Sequence, residues 1–411
     1  MKFHQCGTQL LPKPPSQQDD RLSLIKNIGI FETALLLATL ALLTIGLVTL
    51  ERIGLPIENG LDSQVARQML FAVVGLFGMI FMACINYRTW SVLAWTAYLL
   101  ALIMLVAVLF IGVTRFGSQR WFLLGAFQFQ PSEFAKLAMI FMLARYFSRR
   151  PNRRTDLSTL FGSMLIVAPP VLLILLEPDL GTSLILVTIW FGMTFLSGAA
   201  IRHIIIMISI ALLSLPIAWL IMKPYMRDRI VTFIDPTVDP LGAGYNVLQA
   251  RIAVGSGGWF GRGVSEATQS QLEFLRVRDT DFIFAVIAEH LGFIGAITVI
   301  ILFAIVITYS LIAALRATDN FGRLTAGGLL IMLTFEVVIS IGMNIGVAPI
   351  TGITLPLLSA GGSSLVMTMA GIGLLLSISL HKGDSLFDRP TRVSLPASSK
   401  PYSDAYKEYP E

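Results

Sequence analysis

The chain is poor in charge. Asp, Glu, Lys and Arg make up 13% of its 411 residues, against 55% hydrophobic residues and a mean hydropathy of +0.76. That balance excludes an ordinary soluble globular domain. Its two cysteines, Cys6 and Cys84, are too few for a disulfide framework, and no Cys/His group has zinc-ligand spacing. Redox and structural-zinc readings are therefore set aside. No fixed-period repeat is present, which argues against a solenoid. The glycine-rich run from Gly255 to Gly263 lacks G-K-[ST] and a preceding strand, so it is no nucleotide P-loop. The first 28 residues are polar, with Pro12, Pro14 and Pro15, and no small-residue cleavage site follows. They read as a cytosolic tail rather than a signal peptide. A net charge of +5 says little about nucleic acid, because loop arginines beside lipid have a topological explanation. No nucleic-acid partner is expected.

What the chain has in abundance is long apolar runs. A bilayer core of roughly 30 Å needs about 20 apolar residues per helix. Such runs lie near 33 to 50, 68 to 87, 89 to 114, 132 to 148, 157 to 176, 180 to 201, 203 to 222, 282 to 313, 324 to 347 and 363 to 380. The expectation is an all-α polytopic membrane protein of about ten transmembrane helices, residues 29–381. A large extracytoplasmic loop, about 223–280, lies between helices seven and eight, and polar tails cover 1–28 and 382–411. The connection R-R-P-N-R-R, Arg149 to Arg154, is assigned to the cytoplasm by the positive-inside rule, which puts both termini inside. The long loop then falls outside although it is rich in Lys and Arg; the rule weakens as loops approach about 60 residues.

Polar residues gather at the ends of spans on the outer side, and charged groups there are functional candidates. In Q-P-S-E-F-A-K, Pro131 suits a first helical turn, Glu133 complements the dipole, and Lys136 can pair with it. Arg120 and Trp121 lie just upstream. In L-E-P-D-L-G-T, Glu177 and Asp179 stand at a tight turn, where Asp179 could simply cap the next helix. The glycines of 255–263 beside Arg251 and Arg262 could let backbone N–H groups approach a pyrophosphate, though a flexible turn is the plainer reading. The piece around Val247 to Val254 is amphipathic and reads as interfacial. From Val347 to Ser364, two prolines and three glycines in an apolar stretch exclude a continuous helix. Irregular backbone at membrane depth needs cover, so 348–362 reads as re-entrant, with Ser363-Ser364 starting the last helix.

The run R-D-T-D-F-I-F-A-V-I-A-E-H-L-G-F, Arg278 to Phe293, holds the densest titratable chemistry. Asp279 and Thr280 could cap a helix starting near Asp281. Alternatively, Asp281 lies beside a low-dielectric slab, where desolvation raises a carboxylate's pKa and makes it a better base, while nearby Arg278 pulls the other way and leaves the sign of the net shift open. Glu289, eight residues on, would share about the same helix face, while His290 faces elsewhere and reads as structural.

These motifs, in order, resemble the SEDS family (shape, elongation, division, sporulation), multi-spanning polymerases of bacterial peptidoglycan, and its elongation branch in particular. The resemblance runs from about Ile30 to His381. Its carriers are Q-P-S-E-F-A-K, E-P-D-L-G-T, D-P-L-G-A-G-Y-N, I-A-V-G-S-G-G, T-Q-S-Q-L-E-F-L, T-D-F-I-F-A-V-I-A-E and P-L-L-S-A-G-G-S-S. It implies polymerisation of lipid II on the outer face of the bacterial cytoplasmic (inner) membrane during elongation, with Asp281 as the catalytic acid. It also implies a divalent cation, Mg or Mn, whose ligands are unassigned. The implied partners are a class B penicillin-binding protein, a transpeptidase, and other elongation-complex proteins. Arg120, Glu133, Lys136, Asp179, Gln249, Arg251 and Ser363 are the candidate substrate-binding residues. The chain departs from the family at Asp279, where His is usual, at His290, at Ala360 and at Glu336. A lipid-precursor flippase is the rival reading, since discontinuous helices and midplane charges mark transporters.

Overall fold

The computed structural model describes residues 29–53, 64–115, 118–124, 127–150, 156–238, 243–263, 267–271, 275 and 278–381. The expected tails 1–28 and 382–411, Arg153 and Arg154, Asp239-Pro240 and part of T-Q-S-Q-L-E-F-L lie outside the described residues.

Ten helices correspond to the ten apolar runs. They are α1 (Ile30–Ile53), α2 (Gln64–Cys84), α3 (Arg88–Ile111), α4 (Pro131–Ser148), α5 (Leu157–Leu176), α6 (Leu180–Leu196), α7 (Ile201–Ile221), then α11 (Ile283–Arg316), α12 (Asn320–Ile345) and α13 (Gly362–Leu380). Between α7 and α11 the chain forms α8 (Pro224–Ile234), α9 (Ala243–Ser256) and the single turn α10 (Thr268–Gln271). Seven of these, α1, α2, α3, α5, α11, α12 and α13, are long and apolar enough to cross a membrane by length and composition. Two further apolar helices, α6 and the Ile201–Ile217 part of α7, are shorter. The remaining helix, α4, carries Glu133, Lys136 and Arg145 and is buried along most of its length by its neighbours. Large apolar side chains such as Phe77, Phe110, Leu213 and Phe293 face outward. In water that surface would be an aggregation hazard; against hydrocarbon it is the matched one.

The third apolar run is not helical to its end. The helix stops at Ile111, and Val113–Arg115 (β1), Ser118–Leu124 (β2) and Phe127–Phe129 (β3) form a small antiparallel sheet in the order β1-β2-β3. Thr114 pairs with Gln119, and Phe122 with Phe129. The sheet carries Arg120 and Trp121 and delivers the chain to Pro131 at the start of α4.

Helix α11 is broken at Gly292 (φ 67°, ψ −162°). A break frees the amides of Phe293 and Ile294 and the carbonyls of Glu289 and His290, which a regular helix would pair with each other. The glycine-rich run takes up all four. Phe293 N–H donates to Gly258 O (2.8 Å) and Ile294 N–H to Trp259 O (3.2 Å), while Glu289 O and His290 O accept from the amides of Arg262 (2.9 Å) and Gly263 (3.2 Å). Positive φ at Gly258, Gly261 and Gly263 lets the loop follow this path. These glycines are thus spent on splicing a helix, and the pyrophosphate reading of 255–263 is corrected accordingly.

The amphipathic piece is also sharper than expected. Helix α9 buries Val247, Ala250 and Ala253, the last two in a small cluster with Leu275, Phe282 and Ala285, and leaves Leu248 and Ile252 exposed. Residues 349 to 361 contain no helix, yet Ile353, Leu355, Leu357 and Leu358 are buried. Gly46 of α1 admits this backbone: a Cβ there would stand 2.9 Å from Leu358 Cα. Helix α13 then starts at Gly362, with Gly361 at its cap position, so Ser363 lies inside the first turn rather than capping it.

Candidate active site

Asp281 lies in a turn before α11, whose cap position is Phe282 with no side-chain cap bond. The helix-capping reading of Asp279 and Thr280 is therefore corrected. The turn is held by its carbonyls instead. Asp279 O accepts from Ala360 N–H (2.8 Å), Thr280 O from Ser359 Oγ (2.6 Å), and Asp281 O from Asn344 Nδ2 (2.9 Å). Asn344 also accepts from Ala285 N–H through Oδ1 (2.9 Å), satisfying one of the free amides at the start of α11 from another helix. The Asp279 carboxylate accepts a hydrogen bond from Gln64 Nε2, and Gln68 Nε2 reaches Ser359 O (3.1 Å). Three successive carbonyls thus fix the turn that carries the Asp281 side chain.

That side chain is half-buried. Burial pushes its carboxyl up to about 6; the Thr280 hydrogen bond and Arg229 oppose the rise, and Asp279 and Asp179 add to it. Arg229, on α8, donates to Thr351 O (3.1 Å), and the next residue, exposed Gly352 (φ 75°), places a Cβ position 3.8 Å from Asp281 Oδ2.

The E-P-D turn joins the same end of the bundle. Asp179 does cap α6: Oδ1 accepts from Thr182 N–H (3.2 Å) and Oδ2 from Thr182 Oγ1 (2.9 Å). It also accepts from Gln130 Nε2 (3.3 Å) and stands 3.7 Å from Arg120 Nη1. Arg120 donates through Nε to Glu177 O (3.0 Å) and through Nη2 to Pro178 O. Glu177 is 1% exposed, and neither of its carboxyl oxygens has a hydrogen-bond partner among the described residues. Burial pushes its carboxyl up to about 8, with Asp179 adding and Arg120 opposing. A carboxyl without donors stays protonated in such surroundings.

The other expected residues have definite places. Ser363 Oγ accepts from Gln130 N–H (3.0 Å) and donates to Gln128 O (2.9 Å), pinning the β3–α4 junction to α13. Glu133 Oε2 stands 2.7 Å from Lys136 Nζ, as the spacing suggested, and Glu336 Oε1 of α12 stands 2.6 Å from the same atom. All three are buried. Lys136, a candidate substrate-binding residue, is therefore matched by two carboxylates. Arg251 donates to Gly346 O (3.0 Å) at the end of α12, and Gln249 is half-buried on α9; among the described residues neither is bonded to the Asp281 turn. Glu289 does not share a helix face with Asp281, which precedes the helix. Its two oxygens accept from the amides of Gln269 (2.9 Å) and Ser270 (3.0 Å), and His290 Nε2 pairs with Ser270 Oγ (2.8 Å), so both side chains hold α10. Asn344, Gln64 and Arg229 are the site residues the sequence did not single out, since their partners lie far along the chain.

The resemblance implies a divalent cation, but among the described residues no group of three or more His, Cys, Asp or Glu converges to hold one. The described residues supply no cage of their own.

The FtsW, RodA and SpoVE family model, described as cell cycle protein, matches residues 33–384. The peptidoglycan glycosyltransferase MrdB of Escherichia coli is 40% identical over 346 residues, covering 84% of this chain and 93% of that protein. The stage V sporulation protein E of Bacillus subtilis is 38% identical over 356 residues, covering 84% and 96%. Among solved structures, one reported for the coordination of polymerization and crosslinking by a peptidoglycan synthase complex is 31% identical, with a TM-score of 0.74, over 85% of this chain and 98% of that one. The rod shape determining protein RodA of Thermus thermophilus is 29% identical, with a TM-score of 0.65, over 85% and 97%.

Proposed function

Since the chain belongs to the FtsW, RodA and SpoVE family of cell cycle proteins, the SEDS family to which its motifs point, we propose that its Asp281 turn polymerises lipid II on the outer face of the bacterial cytoplasmic membrane. The chain is a multi-pass membrane protein and a peptidoglycan glycosyltransferase. Asp281 takes the proton from the attacking sugar hydroxyl as its oxygen bonds to the anomeric carbon. The bond from that carbon to the diphosphate breaks, and its electron pair leaves on the diphosphate oxygen. A positioned carboxylate base contributes about 100- to 10,000-fold. The leaving diphosphate is an anion and needs charge stabilisation rather than a proton. Any Mg or Mn would enter mainly on the diphosphate oxygens, a usual mode for Mg.

The observation that carries this reading is the Asp281 carboxyl, raised to about 6 by burial and aimed from a turn whose three carbonyls are fixed. A base of that pKa is mostly ionised at neutral pH yet holds a proton better than a free aspartate. The outer-face placement rests on Arg149 and Arg150, which end α4 at the opposite pole from Asp281. A class B penicillin-binding protein is the proposed partner, supported by the similarity to a chain of a peptidoglycan synthase complex.

The test uses purified full-length protein with its transpeptidase partner, lipid II and a divalent cation in detergent. Wild type should make glycan strands and Asp281→Asn should fall at least about 100-fold short. Equal product from both would remove Asp281 as the base. No product from either, together with lipid II movement across vesicles, would favour the flippase.

A further inference from the structure

A glycosyl transfer that expels a diphosphate must place positive charge beside the base, and the cations at this end of the protein are not equivalent. Lys136 is matched by Glu133 and Glu336. Arg120 spends Nε and Nη2 on the carbonyls of Glu177 and Pro178 and has Asp179 beside Nη1. Arg278 holds the carbonyls of Ser270 and Ile53, Arg262 that of Ser256, and Arg251 that of Gly346. Each of these ties one structural element to another. Arg229 differs on two independent grounds. Its only hydrogen bond among the described residues runs from Nη1 to Thr351 O (3.1 Å), leaving the rest of the guanidinium fork open. And the residue after Thr351 is Gly352, exposed and placed so that a Cβ on it would stand 3.8 Å from Asp281 Oδ2, so a single dipeptide runs from the cation's partner to the carboxylate's edge.

We propose that Arg229 is the catalytic cation of this site, receiving the diphosphate of the lipid-linked donor across the open Gly352 floor while Asp281 takes the acceptor's proton. The proposal rests on the reading of Asp281 as base. A guanidinium suits the task because its planar donor fork matches phosphate oxygens two at a time and it stays charged at any relevant pH. As the bond to the anomeric carbon breaks, the diphosphate gains one negative charge, and a cation held in place beforehand lowers the barrier without reorganising. Gly352 fits its position because its positive φ disfavours a side chain there.

The experiment compares wild type, Arg229→Ala, Arg229→Lys, Arg227→Ala and Asp281→Asn, each purified with the transpeptidase partner and given lipid II. Arg227 donates to Leu220 O and stacks on Trp219, away from the site, and serves as the control. Arg229→Ala should lower kcat about 100-fold or more, the usual loss when one preorganised charge donor is removed, and added guanidinium chloride should restore part of it. Arg229→Lys should fall between the two, and Arg227→Ala should match wild type. Inorganic pyrophosphate should inhibit wild type more strongly than Arg229→Ala. A kcat for Arg229→Ala within about threefold of wild type would overturn the proposal, on the scale of such losses. So would a loss that guanidinium does not relieve and that leaves pyrophosphate inhibition unchanged, since that marks only the tie to Thr351. If Arg229→Ala does not fold, Arg229→Lys decides: wild-type kcat and pyrophosphate inhibition in that variant overturn the assignment. Should Asp281→Asn remain active, the reading of the base fails instead, whatever Arg229 does.

Discussion

At the scale of single residues, Glu177 and Asp281 are carboxyls lifted by burial, to about 8 and about 6, and they serve opposite ends. Asp281 keeps an approach from outside through Gly352, whereas Glu177 is sealed, without donors, next to Asp179. A carboxyl raised in the folded state favours folding while it is protonated, so this contribution is present below about 4.5 and is lost as pH climbs through about 8. Glu177→Gln, which is neutral at every pH, should therefore flatten the fall in thermal stability between pH 5 and pH 8.5. A scan of unfolding temperature against pH in detergent reads this directly, and parallel curves for the two proteins would show that Glu177 is already ionised at pH 7. The sequence placed both acids at the ends of spans but could not sort them. Sorting required Arg120, which approaches the turn from β2 and gives its donors to carbonyls rather than to the Glu177 carboxyl.

At the scale of elements, α12 holds the Asp281 turn to the bundle. Asn344 bonds Asp281 O and Ala285 N–H at once, and its Nδ2 also reaches Ser340 O (2.7 Å) in the preceding turn. Asn344→Ala should leave the chain folded but lower kcat for lipid II polymerisation roughly tenfold or more with little change in KM, because a base displaced by about 1 Å loses about that much or more. An unchanged kcat would mean that Ser359 and Ala360 hold the turn unaided. Gly292 has a different duty. Any side chain there meets the φ penalty of the left-handed region and would collide with the backbone of Trp259, so Gly292→Ala should cost about 2 kcal/mol or more, measurable as a lower unfolding temperature. Neither role was legible in the sequence. Asn344 reads as a polar residue near a helix end, and its partners lie 59 and 63 positions away; the glycines of 255–263 suggest a turn or an anion site, and only the break in α11 shows what they accept.

At the scale of the whole molecule, the membrane-length helices were readable because hydropathy and length alone define them, and all ten runs have a helix. The short sheet before α4 was not, because its strands are brief and the first of them continues an apolar run. The polar groups divide between two poles. One holds Asp281, Arg229, Asp179 and Ser363; the other holds Tyr87 bonded to Asp319, Arg145 on Ser91 O (2.6 Å) and Ser377 on Ile85 O (2.6 Å). A cysteine at Gly255, exposed on α9, should react with a membrane-impermeant thiol reagent from the periplasmic side, and one at Arg150 only after the inner face is opened. The reverse pattern would invert the orientation on which the proposed lipid II chemistry depends. The break in α11 also gives the pole that holds Asp281 a physical reporter. In an unbroken helix the amides of Phe293 and Ile294 would be shielded by the helix itself and would exchange with deuterium only as the span frays; here they are shielded by Gly258 and Trp259. Their exchange therefore measures how often the loop between α7 and α11 lifts from the bundle, a clock for the loop read from inside a membrane helix.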